Sequence, residues 1–193
     1  MALRRRGLVT VGAAVACCAL ASACTSEPTS VTTPSLTTPA TTPTESQIER
    51  QMRLDYEAAE KAYRTNMGEQ DRQSRLGIAV ETEELTSTAS GNYLLFVLEV
   101  LRDIRDSGWR AQSSTIIRGI ARDGWQEDQV RLLACEDNSS VTFIDKKGKD
   151  VTPTNVVRTF VQDLRVDRIK GRWKVTDVES RPVDSFEGAS CAA

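Results

Sequence analysis

Residues 25–46 read TSEPTSVTTPSLTTPATTPTES, and 17 of these 22 residues are Thr, Ser or Pro. Such a segment has too little apolar surface to offset the entropy of ordering it, so it is expected to stay disordered. It confines any packed core to the 147 residues that follow, enough for one domain. Its reach is about 25 Å as a random coil and about 70 Å if fully polyproline-like. The simplest reading is a spacer, and the functional addition is O-glycosylation of its threonines.

What precedes the tether has a different chemistry. Arg4, Arg5 and Arg6 lead into GLVTVGAAVACCALASA, residues 7–23, which carry no charge. A basic start, an apolar run and a small-residue end read as an export signal. Arg5-Arg6-Gly7-Leu8-Val9 also fits a loose twin-arginine pattern. Leu20-Ala21-Ser22-Ala23-Cys24 resembles a bacterial lipobox, although Ala21 stands where that motif prefers Leu. The resemblance implies that Cys24 becomes the mature N-terminus and carries acyl chains such as palmitate. Several chains on one residue give stable attachment to a membrane. The alternative is an uncleaved anchor, since 17 apolar residues lie at the lower limit for spanning a bilayer. The expected organisation is a lipoprotein signal peptide over 1–23, a tether over 24–46 and one folded domain over 47–193, outside the cytoplasmic membrane.

Charge and composition exclude several functions. The whole chain carries 25 basic and 27 acidic side chains. Loss of three arginines with the signal leaves 22 against 27, net −5. A nucleic-acid binder would normally be clearly basic. A mildly acidic domain would reach an anionic membrane through its lipid rather than its charge. There is no histidine, so His-based triads, general bases and metal ligands are absent from this chain.

Ser46-Gln47-Ile48-Glu49 forms a capping box, and Ile48, Met52, Ala59, Ala62 and Tyr63 follow near helical spacing. The pattern predicts a helix from 47 to about 67, stopped by Gly68, then a charged loop over 69–77 and a short helix over 78–87. A stronger helix spans 91–107, with Leu94, Val97, Leu98, Leu101 and Ile104 on one stripe and Gly108 as a left-handed cap. From about residue 112 the period changes to two. Strands are expected over 113–122, 129–136, 140–145, 155–168 and 172–179, with turns at Asp123-Gly124, Lys147-Gly148 and Lys170-Gly171. Helices followed by short-linked antiparallel strands indicate an α+β fold, with helices packed on a sheet of four or five strands.

The helix LEVLRDIRDSGWR, the strands of VRLLACEDNSSVTFIDKKGKDV and the final RWKVTDVE together resemble exported actinobacterial domains of the nuclear-transport-factor-2-like (cystatin-like cone) superfamily, over about residues 47–180. The resemblance implies a curved antiparallel sheet wrapped around helices, leaving a conical cavity. That cavity is empty, ligand-filled or catalytic in different members, so the fold alone gives no function.

Several residues carry chemistry. With Cys17 and Cys18 in the signal and Cys24 lipidated, Cys135 and Cys191 remain as a pair for a disulfide in an oxidising compartment. A reactive cysteine lacks a histidine partner, and two cysteines are an incomplete zinc set. Glu136, Asp137, Asp145 and Asp150 are a carboxylate cluster of the type that binds calcium, but their spacing is not that of an EF-hand and three lysines interrupt them. Catalytic cone-fold relatives use an Asp base with a Tyr; Asp163, Asp167 and Asp177 are the strand-borne acids here, although Asp163 and Asp167 read as outward-facing. Tyr63, Tyr93, Trp109 and Trp173 are candidates to line the cavity, the tryptophans alternatively serving as core anchors. Trp125, beside the expected turn, is the most exposed candidate.

No cofactor or catalytic constellation is evident. The leading expectation is a non-catalytic accessory domain that uses the outer or open face of its sheet for a protein partner or a second copy. The alternative is a small-ligand carrier or isomerase-like enzyme built on the cavity.

Overall fold

The computed structural model describes residues 45–154 and 157–191. Cys24, the signal segment and nearly all of the tether lie outside the described residues. Among those described, no helix is long and apolar enough to cross a membrane.

Three helices come first: α1 (Gln47–Leu76), α2 (Glu83–Thr88) and α3 (Gly91–Asp106). Six strands follow: β1 (Arg110–Ala111), β2 (Ile116–Gln126), β3 (Gln129–Asp137), β4 (Phe143–Ile144), β5 (Thr159–Ile169) and β6 (Arg172–Pro182). Four of them form an antiparallel sheet in the order β2-β3-β5-β6, and β1 pairs with β4 in a separate two-stranded ribbon. This is an α+β fold with helices packed on antiparallel sheets.

The capping box starts α1. The Ser46 hydroxyl accepts from the Glu49 amide at 3.2 Å, and the Glu49 carboxylate accepts from the Ser46 amide at 2.7 Å. Gly68 does not stop the helix. It is exposed, and a helix-interior glycine costs only about 1 kcal/mol. The turns on either side are held by buried Asn66, Glu69 and Gln73. The stop is Gly77, in the left-handed region at φ 63°, where a Cβ would meet the Trp109 carbonyl at 3.0 Å. The expected loop over 69–77 is therefore helix up to Leu76, and Ile48 at the N-terminus is solvent-exposed. A polar clamp fixes the connection beyond it. Glu69 accepts from Arg72 at 2.6 and 2.7 Å, from Gln73 at 2.8 Å and from Thr82 at 2.9 Å. The Gln73 amide bonds both the N–H and the C=O of Val80 at 2.8 Å.

Asp123-Gly124 is not a turn but a bulge inside β2, and the hairpin turns at Glu127-Asp128. A bulge re-aims the side chains beyond it. Here Trp125 is half-buried and packs against the core, with its indole N–H donating to Asp55 at 3.0 Å. Asp55 is buried and also receives Gln51 at 2.8 Å and the Arg168 guanidinium. Arg168 lies over Trp173, 4.7 Å from the ring centroid. Sequence alternation hides this polar knot, because its members come from four elements. The strand expected over 140–145 shrinks to β4, and that expected over 155–168 begins at Thr159.

Alternation on β3 and β5 sorts the two sheet faces. Val130, Leu132 and Ala134, with Leu164 and Val166 opposite them, join Tyr56, Ala59, Tyr63, Leu85, Val97 and Leu101 in one core cluster. On the outer face Cys135 is joined to Cys191, with a Cα–Cα distance of 5.6 Å. The bridge brings Val183, Phe186 and Ala189 onto Ala121, Leu133 and Val161. The rest of that face is charged: Arg131 pairs with Asp163 and Asp123, and Arg165 with Asp167. Among the described residues this outer face is ion-paired in one half and covered by residues 183–189 in the other.

Candidate functional site

The inward alternation of β3 does not end in apolar residues. After Val130, Leu132 and Ala134 it reaches Glu136, which is 7% exposed. The partner strand does the same, with Val166 and Leu164 followed by Gln162 and Phe160. These residues form the floor of a cavity of about 500 Å³ between the sheet, α1, α3 and the β1–β4 ribbon. Met67, Gln70, Asp71 and Ser74 of α1 form one wall, and Tyr93, Phe96, Val100 and Ile104 of α3 another. Phe143 and Val141 come from the ribbon side, and Val178 and Ser180 from β6. Volume and lining match a small-molecule pocket, which is mostly apolar with a few converging polar groups.

α3 is aimed at this cavity by its own start. The Ser90 amide donates to the Val175 carbonyl at 2.9 Å, docking the helix N-terminus on β6. Gly91 follows at φ 60°, where a Cβ would meet the Thr176 carbonyl at 3.1 Å. Leu98 and Leu101 then point into the core, leaving Phe96 and Val100 for the cavity.

The polar groups on the floor are connected. The Tyr63 hydroxyl donates to one oxygen of Glu136, and Gln162 Nε2 donates to the other at 2.9 Å. Gln162 is buried, and its amide oxygen has no hydrogen-bond partner. Because the nitrogen faces the carboxylate, the oxygen must face away from it. Burial pushes the Glu136 carboxyl above the usual carboxylate range. The bonds from Tyr63 and Gln162 oppose this, and the nearby charge of Asp71 adds to it. Burial, then the adjacent Glu136, hold the Tyr63 hydroxyl well above the ordinary tyrosine range, so it stays protonated and donates. Tyr93 is raised too, chiefly by burial, and its oxygen accepts from Gln70 at 3.1 Å. Burial also raises Asp71, against a bond from the Thr115 amide at 3.4 Å.

Of the four aromatic residues proposed to line the cavity, Tyr93 does so. Tyr63 lies in the core behind the floor and reaches the site through Glu136. Trp173 is 9% exposed and belongs to the solid core. Trp109 packs against Phe143, ring centroids 6.0 Å apart, and so supports the wall from outside. The acids Asp163, Asp167 and Asp177 lie away from the cavity lining; Asp163 pairs with Arg131, Asp167 with Arg165, and Asp177 stands opposite Arg165 in the sheet. The carboxylate cluster is also split. Glu136 faces the cavity, while Asp137 on the other face accepts from Ser139 and Arg118, which lower it to about 2. Among the described residues no three Cys, Asp or Glu side chains converge on a metal-sized site. Sequence reasoning missed Gln162, Asp71 and, on the α3 wall, Phe96 and Val100, and weighed Glu136 only as a calcium ligand. The available signal was an acid and an amide continuing the inward parity of two buried strands.

No protein-family model matches the chain, and no curated protein matches it. Solved structures do align. The intermembrane space region of the chloroplast protein ARC6 is 15% identical, with 66% of this chain and 96% of that one covered, at a TM-score of 0.45. Aln2 from a Streptomyces species is 12% identical, with 66% and 89% covered, at 0.43. A calcium/calmodulin-dependent kinase II association-domain structure from Exiguobacterium sibiricum is 10% identical, with 66% and 95% covered, at 0.43. Likeness at this level carries no argument about function, which rests on the chain's own residues.

Proposed function

We propose that this protein is a tethered small-ligand carrier of the cell envelope, which binds an apolar molecule in the cavity above Glu136 without transforming it. The observation that carries the reading is the hollow itself: about 500 Å³, walled mostly by apolar side chains, with the buried carboxyl of Glu136 on its floor. Well-packed domains fill such space with side chains. Binding without turnover is favoured because each Glu136 oxygen is already engaged, by Tyr63 and by Gln162. This is the carrier alternative of the sequence reading; the cavity favours it over the accessory-domain expectation.

The envelope location rests on the lipobox-like LASAC at 20–24, the Thr/Pro-rich spacer and the Cys135–Cys191 bridge, which suits an oxidising compartment. A cone-like fold of the nuclear-transport-factor-2 type is the matching architecture. Native mass spectrometry of the protein from the envelope fraction tests the carrier reading. A retained small molecule is expected, and Val178→Phe, which fills the hollow, is expected to lose it while staying folded. Ligand-free protein of both kinds contradicts the reading. Cys24→Ser is expected to release the protein from the membrane fraction.

A second reading, contact with a protein or a second copy, is favoured by one patch. Leu95, Phe96 and Val100 of α3 are 64, 47 and 39% exposed, and the last two line the cavity. An apolar face on a helix at a pocket mouth serves either entry of a ligand or docking. Concentration-dependent mass by light scattering, abolished by Leu95→Lys, would support the docking role.

A further inference from the structure

One edge of the cavity holds a free donor beside a free acceptor, and Thr115 links the two. Its amide donates to Asp71 Oδ1 at 3.4 Å, and its hydroxyl donates to Asn138 Oδ1 at 2.6 Å. With the Asn138 oxygen engaged, Nδ2 faces the other way, and it has no partner among the described residues. Asp71 accepts from Thr115 and Ser114, and a carboxylate has room for further bonds. Asp71 and Asn138 both line the cavity and are only half-buried, so a ligand can reach them. The other fixed polar groups of the lining are taken. Both Glu136 oxygens are bonded, by Tyr63 and Gln162. The Gln70 amide donates to Asn66 at 2.6 Å and Tyr93 at 3.1 Å. Arg158, the one cation among the described lining residues, donates to the carbonyls of Val141 and Pro153, both at 2.8 Å.

We propose that the ligand is an uncharged alcohol with an apolar body, its hydroxyl seated between Asp71 and Asn138. The assignment rests on the carrier reading. A hydroxyl donates and accepts on a single oxygen, so it can donate to Asp71 while it accepts from Asn138 Nδ2. The bond to Asp71 is charge-assisted and the stronger of the two. The body then lies along Phe96, Val100 and Ile104 of α3. A carboxylate ligand would meet the acids Glu136 and Asp71 with no free cation to receive it. An ammonium has donors only and would leave Asn138 Nδ2 without an acceptor. The hydroxyls of Ser74 and Ser180 also line the cavity, but they turn to suit either kind of partner and do not decide between ligands.

The test is calorimetric titration of the full-length protein with decanol, decyl methyl ether, decylamine and decanoate, which carry similar apolar bodies. Decanol is expected to bind tightest. The ether accepts from Asn138 but gives nothing to Asp71, and is expected to bind about tenfold more weakly. Decylamine and decanoate are each expected to bind more weakly than decanol. Asp71→Ala is expected to weaken decanol about tenfold and to leave the ether within about twofold, a split that a merely structural role would not produce. Asn138→Leu is expected to weaken decanol and the ether alike. Circular dichroism checks that each variant folds. The ether binding as tightly as decanol, tighter binding of decylamine or decanoate, or equal losses of decanol and ether in Asp71→Ala overturns the alcohol assignment and leaves the carrier reading standing. Absence of binding by all four overturns both.

Discussion

At one end of the four-stranded sheet Val130, Leu132, Val166 and Val175 are completely buried against Ala59, Leu85 and Val97, and the space between sheet and helices is filled. A few residues along the same strands, Glu136, Phe160, Gln162 and Ser180 face an open volume of about 500 Å³. Strand pairing continues unbroken from one end of β3 and β5 to the other. The difference is therefore in side chains and in what braces them. The filled end is held by apolar burial at about 25 cal/mol per Å². The hollow end forgoes part of that burial. It is braced from outside, by the Cys135–Cys191 bridge on the opposite face beside Glu136, and from α1, by the Glu69–Gln73–Thr82 clamp beside Gln70 and Asp71. The lesson is that a sheet can carry a cavity where fastening replaces packing.

The sharpest way to break the comparison is to remove the outer brace. Cys135→Ala with Cys191→Ala opens a loop of 56 residues and is expected to cost about 4 kcal/mol in urea unfolding. Hydrogen exchange should rise first at Val161 and Gln162, with Val130 and Val166 following only the global loss. Uniform acceleration along both strands would mean that the two ends are not held differently.

Truncation of the packing at each end comes next. Leu132→Ala, at the filled end, is expected to destabilise by about 3 kcal/mol. Phe160→Ala, whose ring already borders the hollow, should cost only about 1 kcal/mol, because little new cavity is made. Equal costs would contradict the contrast.

The clamp on α1 makes a pH prediction. Arg72, then Gln73 and Thr82, lower the Glu69 carboxyl from 4.5 to about 2. Its contribution is fully present above pH 4.5 and is lost as pH falls through about 2. Glu69→Gln should therefore cost about 2 kcal/mol at pH 7, allowing for screening at the exposed Arg72, and nothing near pH 1.5. Thermal melts across that range measure the difference, and a constant deficit would remove the ionic part of the brace.

The smallest effect has the opposite sign. Glu136 is raised above its usual range in the folded state, so its ionisation works against the fold as pH climbs above 4.5. In Glu136→Gln the new amide oxygen still accepts from Tyr63, and no ionisation remains to oppose the fold. The variant should gain about 1 kcal/mol at pH 8 and nothing at pH 4. A more stable protein that no longer retains a ligand would mark Glu136 as kept for binding.

Much of this fold was legible in the chain. The capping box at Ser46, the stripe from Leu94 to Ile104 and the period-two segments beyond Ser113 carry local signals, and helices-then-strands follows from their order. Gly68 and Asp123-Gly124 misled for one reason: a glycine's meaning depends on its neighbours in space. At Gly68 the buried polar residues of the next turn carry α1 onward, and at Gly124 a bulge lets Trp125 reach Asp55. The site was half visible. Tyr93 was named because the resemblance implies a cavity in which a helix-borne tyrosine can stand near an acid. Glu136 and Gln162 are the inward polar ends of otherwise apolar alternations, but only cross-strand register places Gln162 beside Glu136. The α1 wall depends on the helix continuing past Gly68, so the error at that glycine also hid Asp71.

The most direct test of the central claim is an amide NMR titration of the protein with decanol, a small molecule with an apolar body. The account predicts shifts concentrated at Glu136, Gln162, Tyr93 and Val178, with Val130, Leu132 and Val166 unmoved. Shifts confined to the charged outer face around Arg131 and Asp163, or no saturable shifts at all, would contradict it.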